Sequence, residues 1–219
     1  MDAVSGSKPR IALVDYGAGN LRSVAKALER SDLEPVITGD PAIVRGADGV
    51  LLPGVGAFRD AVTALSKAGL VDVIRDVTEN HDRPYLGICF GLQLLFDESE
   101  EHGPTPGFGT LAGKVVRLPE KDTSGEPLCV PHIGWNEVRF RGEHPMIEAL
   151  PESDVYYFVH SYVPVPEDQS IIVGRTDYGG PFAAAIARGN IFAVQFHPEK
   201  SQAAGKRLLD AYRAWLKAS

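Results

Sequence analysis

An open α/β sheet, parallel at its core and extended by antiparallel strands in the C-terminal half, is the fold class this sequence predicts. Three observations lead there. As far as residue 89, short apolar runs alternate with amphipathic helical runs, which implies right-handed crossovers and a parallel sheet. From Val115 onward, short strand-like runs follow one another across Gly, Pro and Asp turns, the pattern of antiparallel pairing. And 219 residues, 44% hydrophobic and 23% charged, suffice for one soluble domain with a sizeable core.

Taken in order, Ile11-Ala12-Leu13-Val14-Asp15-Tyr16 reads as the first strand, closed by Gly17-Ala18-Gly19. Asn20 suits the N-cap of a helix with Leu21, Val24, Ala25 and Leu28 on one face. Pro35-Val36-Ile37-Thr38 is the second strand, and Gly49-Val50-Leu51-Leu52 the third, ending at Pro53-Gly54-Val55-Gly56. Helical spacing follows in Phe58, Val62 and Leu65, then in Val71, Ile74 and Val77. Pro84 to Ile88 is a buried strand, and Leu92 to Asp97 reads as the first turns of a helix. Six short strands are expected beyond it, within Val115–Leu118, Trp135–Phe140, Tyr156–Val159, Ile171–Val173, Phe182–Ile186 and Ile191–Phe196. Leu208, Leu209, Tyr212, Trp215 and Leu216 mark a C-terminal helix. Residues 1–9 read as a flexible tail and 10–219 as a single domain with no internal repeat or linker.

Composition excludes several classes. A net charge of −7, a pI near 5.4 and no Lys/Arg cluster argue against nucleic acid. No apolar stretch is long enough to span a bilayer, and Met1–Arg10 has no hydrophobic signal core, so no membrane partner is expected. Cys89 and Cys129 could form one disulfide, but nothing else points to secretion, so a reducing cytoplasm is the expected compartment. Cys129 reads as a buried structural thiol. Neither Cys has zinc-ligand spacing, and neither a metal nor another cofactor is expected. Gly17-Ala18-Gly19 lacks the third glycine of a dinucleotide loop, whose place falls at Arg22; Asp40 at ribose distance is weak support. That loop is a turn or a contact surface.

The chemistry concentrates in Gly87-Ile88-Cys89-Phe90-Gly91, between a strand and a helical run. Glycines on both sides permit a tight, strained turn, and a sulfur at a helix start meets N–H groups that favour thiolate. Such a turn is the cysteine form of a nucleophile elbow. The plainer alternative is a small buried hydrophobe. His197-Pro198-Glu199, at the end of the last strand, offers a general base and the carboxylate that orients it, or else merely an exposed charged turn. Gly54, Val55 and Gly56 suit an oxyanion hole whose second donor is the N–H of Phe90. The C-terminal ends of parallel strands, where ligands bind in such sheets, would hold the Gly54 loop and Cys89.

Gly-x-Cys-x-Gly-x-Gln followed far downstream by His-Pro-Glu resembles the class I (triad) glutamine amidotransferases, over the chain from about Ile11 to the C-terminus. The resemblance implies a flavodoxin-like open sheet with helices on both faces. It implies that Cys89 attacks the side-chain amide of L-glutamine, with His197 as base and then acid and Glu199 orienting it. Gln93 and Gly56 would hold the substrate, and Ser161 and Tyr162 line its pocket. Asp15–Asn20, Pro53–Phe58, Pro131–Asn136 and His197–Ser201 resemble the branch serving histidine biosynthesis. There the ammonia passes to a cyclase subunit, a (β/α)8 barrel, in a heterodimer. Asn20, Trp135 and Lys200 match positions near that partner, although Trp135 equally suits core packing. Many members carry glycine where Val55 stands. A β-branched residue disfavours φ > 0 there, so the oxyanion N–H is expected to point away until the partner is loaded. Rival readings are another acceptor synthase, a stand-alone γ-glutamyl hydrolase, and a binding module that lost catalysis.

Overall fold

The computed structural model describes residues 7–79 and 83–218. The first half alternates as expected: β1 (Arg10–Val14), α1 (Leu21–Arg30), β2 (Glu34–Thr38), α2 (Pro41–Gly46), β3 (Gly49–Leu52), α3 (Phe58–Lys67), α4 (Val71–Glu79) and β4 (Tyr85–Ile88). Asn20 caps α1, its side chain accepting from the Ser23 N–H at 3.4 Å. The sequence reading passed over α2. Asp40, weighed there as a ribose ligand, is instead its N-cap, accepting from the Ala42 N–H at 2.8 Å with Pro41 in the first turn. Residues 1–6 of the expected tail lie outside the described residues; Pro9 already gives its carbonyl to the Glu34 N–H.

After β4 the chain departs from expectation. The helical run over Leu92–Asp97 shrinks to one turn, α5 (Phe90–Gln93), and Phe96–Ser99 becomes strand β5. An apolar run of that length satisfies either period, and pairing with β6 (Thr105–Pro106) and β7 (Leu111–Arg117) decides it. Then come β8 (His132–Phe140), α6 (Pro145–Glu148), β9 (Ser153–His160), β10 (Tyr162–Pro166), β11 (Ile172–Asp177), β12 (Pro181–Arg188), β13 (Ile191–Val194) and α7 (Gln202–Ala218).

Nine strands form the main sheet in the order β2-β1-β3-β4-β13-β12-β11-β8-β9, and β10-β7-β5-β6 form a second one. The first four strands are parallel, and β8, β9, β11 and β12 pair antiparallel, as the sequence indicates. Two strands of the second half depart from that pattern: β13 runs parallel to β4 while pairing antiparallel with β12, and β7 runs parallel to β5 while pairing antiparallel with β10. Helices cover both faces. One apolar layer joins Ile11, Leu13 and Leu86 to Leu28 of α1 and Leu208 of α7, and the other joins Val50, Leu52 and Tyr85 to Leu65 of α3 and Ile74 of α4. Burying strands on both sides explains why β3, β4 and β13 are apolar at nearly every position.

Candidate active site

Three neighbouring parallel strands, β3, β4 and β13, end at the same edge of the sheet. The loop Pro53–Gly56 leaves the first, Cys89 the second and His197 the third. Residues some 100 positions apart in sequence thus converge.

Cys89 has φ 55° and ψ −103°, a backbone that a non-glycine residue adopts only under strain. The turn is held by its own N–H, which donates to the Val194 carbonyl at 2.8 Å, and by close packing. A Cβ on Gly87 would meet the Gly91 carbonyl oxygen at 2.4 Å, and one on Gly91 would meet the Leu52 carbonyl oxygen at 1.9 Å. The flanking glycines therefore serve close approach as much as turning. Since α5 is a single turn, Cys89 gains free N–H groups but not the aligned dipole of a long helix.

His197 and Glu199 are not an exposed turn. Both side chains are only 3% exposed, with Nδ1 of His197 2.8 Å from Oε1 of Glu199. Pro198–Lys200 forms a 3₁₀ turn, and the Ser201 hydroxyl donates to the His197 carbonyl at 2.6 Å while accepting the Tyr157 N–H at 3.0 Å. The His197 N–H donates to the Tyr157 carbonyl at 2.9 Å, so the edge strand β9 braces this turn. Burial pulls the imidazole's pKa down, but the neighbouring Cys89 sulfur and the hydrogen-bonded Glu199 carboxylate outweigh it, leaving it at about 9. The Nε2 atom closes no hydrogen bond among the described residues, although Cys89 lies beside the ring.

Cys89 and His197 face one cavity of about 340 Å³, lined also by Val55, Gly56, Phe90, Gln93, Ser161, Tyr162 and Lys200. Of the residues expected to bind substrate, Gly54 alone does not line it. It lies behind, where a Cβ would sit 2.4 Å from that of Phe90 and 2.8 Å from the Tyr16 hydroxyl. Burial and the Cys89 charge raise the Tyr16 hydroxyl well above its ordinary range. The Val55 N–H is aimed at that oxygen without closing a hydrogen bond and pulls it partway back.

Gln93 is buried. Its Nε2 donates to the Tyr162 carbonyl and to Oε1 of Gln195, both at 3.0 Å, and the Gln195 Nε2 donates in turn to the Cys89 sulfur at 3.5 Å. The Tyr162 carbonyl also takes Nδ1–H of His160 at 3.1 Å, which leaves the His160 Nε2 to accept from Nδ1–H of His132 at 3.1 Å. Burial lowers the pKa of these two histidines to about 3 and about 4, so the pair is neutral.

Sequence reasoning missed two residues here. Glu101 lines the cavity and accepts the Phe58 N–H at 2.6 Å; nothing set it apart within an acidic run. Gln195 had a signal, being the one polar residue within the apolar run Ile191–Phe196, and a buried amide must be paired. Trp135 is not core: it is 49% exposed and meets Tyr157 edge-on at 5.9 Å. Lys200 is exposed beside the same ring, and Asn20 is exposed at the start of α1. Cys129 is exposed rather than buried, and both cysteines are free. No group of three or more metal-ligating side chains occurs among the described residues, and no helix there is long and apolar enough to cross a membrane.

The chain matches known proteins at two levels, fold and sequence. Solved structures share the fold: PurLQS from Thermotoga maritima, 21% identical, superposes with a TM-score of 0.72 over 95% of this chain and 99% of that one. A crystal structure described as glutamine amidotransferase, 20% identical, gives 0.69 over the same shares. Sequence relatives are nearer. The imidazole glycerol phosphate synthase subunit HisH of Methylococcus capsulatus is 48% identical over 94% of this chain and 96% of its own length. The protein of that name from Geobacillus kaustophilus is 49% identical over 92% and 95%, and that from Aquifex aeolicus 48% over 93% and 96%. The family model described as glutamine amidotransferase class-I matches residues 12–211, and the chain belongs to that family.

Proposed function

We infer that this chain is the glutaminase subunit of an imidazole glycerol phosphate synthase and that Cys89, His197 and Glu199 are its catalytic triad. The observation that carries the site assignment is a strained nucleophile and a buried imidazole–carboxylate pair facing one cavity. The Cys89 sulfur, its proton already passed to Nε2 of His197, bonds to the amide carbon of glutamine, and the carbonyl oxygen becomes an oxyanion. The Phe90 N–H and the Gly54–Gly56 strand supply donors to that oxyanion. As it collapses, His197 returns the proton to the departing ammonia, leaving a glutamyl thioester that water, deprotonated by His197, cleaves to glutamate. Gln93, with its N–H groups committed elsewhere, turns its Oε1 to the substrate, and Gly56, Ser161 and Tyr162 complete the pocket. The Glu101 carboxylate suits the α-ammonium group.

The ammonia passes to a cyclase subunit, a (β/α)8 barrel in a heterodimer, which makes imidazole glycerol phosphate and an aminoimidazole carboxamide ribotide. An apolar stripe supports such a partner. Register pairs Ile133 with Val159 and Trp135 with Tyr157, and Ile133 (59% exposed), Trp135 and Val55 are exposed beside the cavity mouth. Lys200 and Asn20 belong to the same proposed interface. The cytoplasm is the compartment that free thiols suit. The test is glutamate release from glutamine, for the chain alone and with the cyclase subunit and its nucleotide ligand. A large rise with the loaded partner, abolished by Cys89→Ala, is expected; full activity without a partner would overturn the assignment in favour of a stand-alone hydrolase.

A further inference from the structure

We propose that Gln195 is a positioning residue for the nucleophile, its amide N–H holding the Cys89 sulfur in place and favouring the thiolate. The orientation of the two glutamine amides follows from one backbone group. The Tyr162 carbonyl can only accept, so the atom of Gln93 3.0 Å away must be its NH₂. That NH₂ also contacts Gln195, which therefore presents its oxygen to Gln93 and its own NH₂ to sulfur, 3.5 Å off. The flipped amide would set two NH₂ groups against each other. The His160 Nδ1–H, donating to the same carbonyl, fixes it from the other side.

Gln195 is fully buried on the strand extension that carries His197, two residues before the base. A hydrogen bond to sulfur counts for more when the sulfur is charged, so it supports the thiolate over the thiol. The same relay ties Gln93, which holds substrate in the reading above, to the atom that attacks it. Glutamine drawn against Gln93 is thereby registered to the sulfur through one intervening side chain.

The inference rests on Cys89 being the nucleophile, and the test separates the two. In a Cys129→Ser background, which removes the exposed thiol, the alkylation rate of Cys89 by iodoacetamide is followed from pH 5 to 10. Gln195→Met keeps length without a donor, and Gln195→Glu keeps shape but presents oxygen to sulfur. Both profiles are expected to move to higher pH, by about one unit for Met and further for Glu, so that alkylation below the midpoints is about tenfold slower. In complex with the cyclase, kcat for glutamine should fall by a similar factor while KM holds, because Gln93 keeps its bond to Tyr162. Folded variants with the parental profile and kcat would overturn the proposal. If neither variant folds, the Gln195 side-chain amide resonance of the parent chain decides: it moves as Cys89 titrates if the bond exists and stays fixed if it does not. Glutaminase activity that survives Cys89→Ala would instead refute the nucleophile itself.

Discussion

Gly91→Ala tests how Cys89 is held. The added methyl would sit 1.9 Å from the Leu52 carbonyl oxygen and 3.0 Å from its carbon. Ordinary contact requires that the elbow and the end of β3 part by more than 1 Å, about the difference between 1.9 Å and a carbon–oxygen contact of normal length. Neither side yields easily. Leu52 is fully buried and paired with Gly87 across β3 and β4, and the Gly91 carbonyl is pinned by the Tyr85 hydroxyl at 2.7 Å. Overpacking of this kind costs about 1–3 kcal/mol, or more where backbone must move. For a chain of this size that is a melting point lower by about 2–12 °C. Cys89 lies two residues away, and a misplacement of about 1 Å can lower turnover roughly 100-fold. Thermal denaturation and glutamate release in the complex measure the two effects. Gly46→Ala is the control: it has an ordinary φ and no described atom within 4 Å of the new methyl, so it should be neutral or stabilising by up to about 1 kcal/mol. A Gly91→Ala chain that melts and turns over like the parent would refute the packing account of the elbow.

Three further outcomes are expected. Val55→Gly should raise the glutaminase rate of the isolated chain, because it frees the strand whose N–H now faces Tyr16; an unchanged basal rate, measured without the cyclase, would sink that idea. Trp135→Ala should leave the melting point of this half-exposed site nearly unchanged, within about 0.5 kcal/mol, yet weaken the complex by about 2 kcal/mol, or roughly 30-fold in Kd by calorimetry. His132 and His160 make folding acid-sensitive. Their folded pKa values, about 4 and about 3, lie below the ordinary 6.5, so the unfolded chain takes up protons first and stability falls as pH drops below 6.5. Between pH 7 and 5 the pair should remove about 4 kcal/mol in nearly equal shares, because both folded values lie below that window. His197 runs the other way. Its pKa is raised to about 9, so its contribution is complete below 6.5 and is lost only as pH climbs through 9. Urea denaturation at the two pH values, with and without His160→Gln, reads the difference.

Much of the site could be read from residue order because strained turns and buried pairs need particular residue types. The glycines around Cys89 and the spacing of His197 and Glu199 marked, in the sequence, side chains that the structure brings to one sheet edge. What stayed hidden depended on partners distant in sequence. Phe96–Ser99 became a strand because β7 was there to pair with it, and its apolar run held nothing to forbid a helix. Asp40-Pro41 did announce a helix start, in a stretch too short to show periodicity. Trp135 carries no mark of exposure in the sequence; only the register of β8 on β9 puts it outside. Gln195 could be flagged as a polar residue in an apolar strand, but its target could not, since Cys89 lies 106 positions earlier.

The insertion of β13 between β4 and β12 has a consequence for synthesis. A nascent chain that has emerged only as far as Gly180 possesses the thiol, the glycine loop and most of the pocket, but neither His197 nor Glu199. Its β4 edge is also unpaired, a hydrophobic strand open to other chains. Under the proposed triad, competence and cover for β4 therefore arrive together, with the last strand of the sheet. On the proposed triad, a chain truncated before β13 would hydrolyse no glutamine and would expose the β4 edge to aggregation.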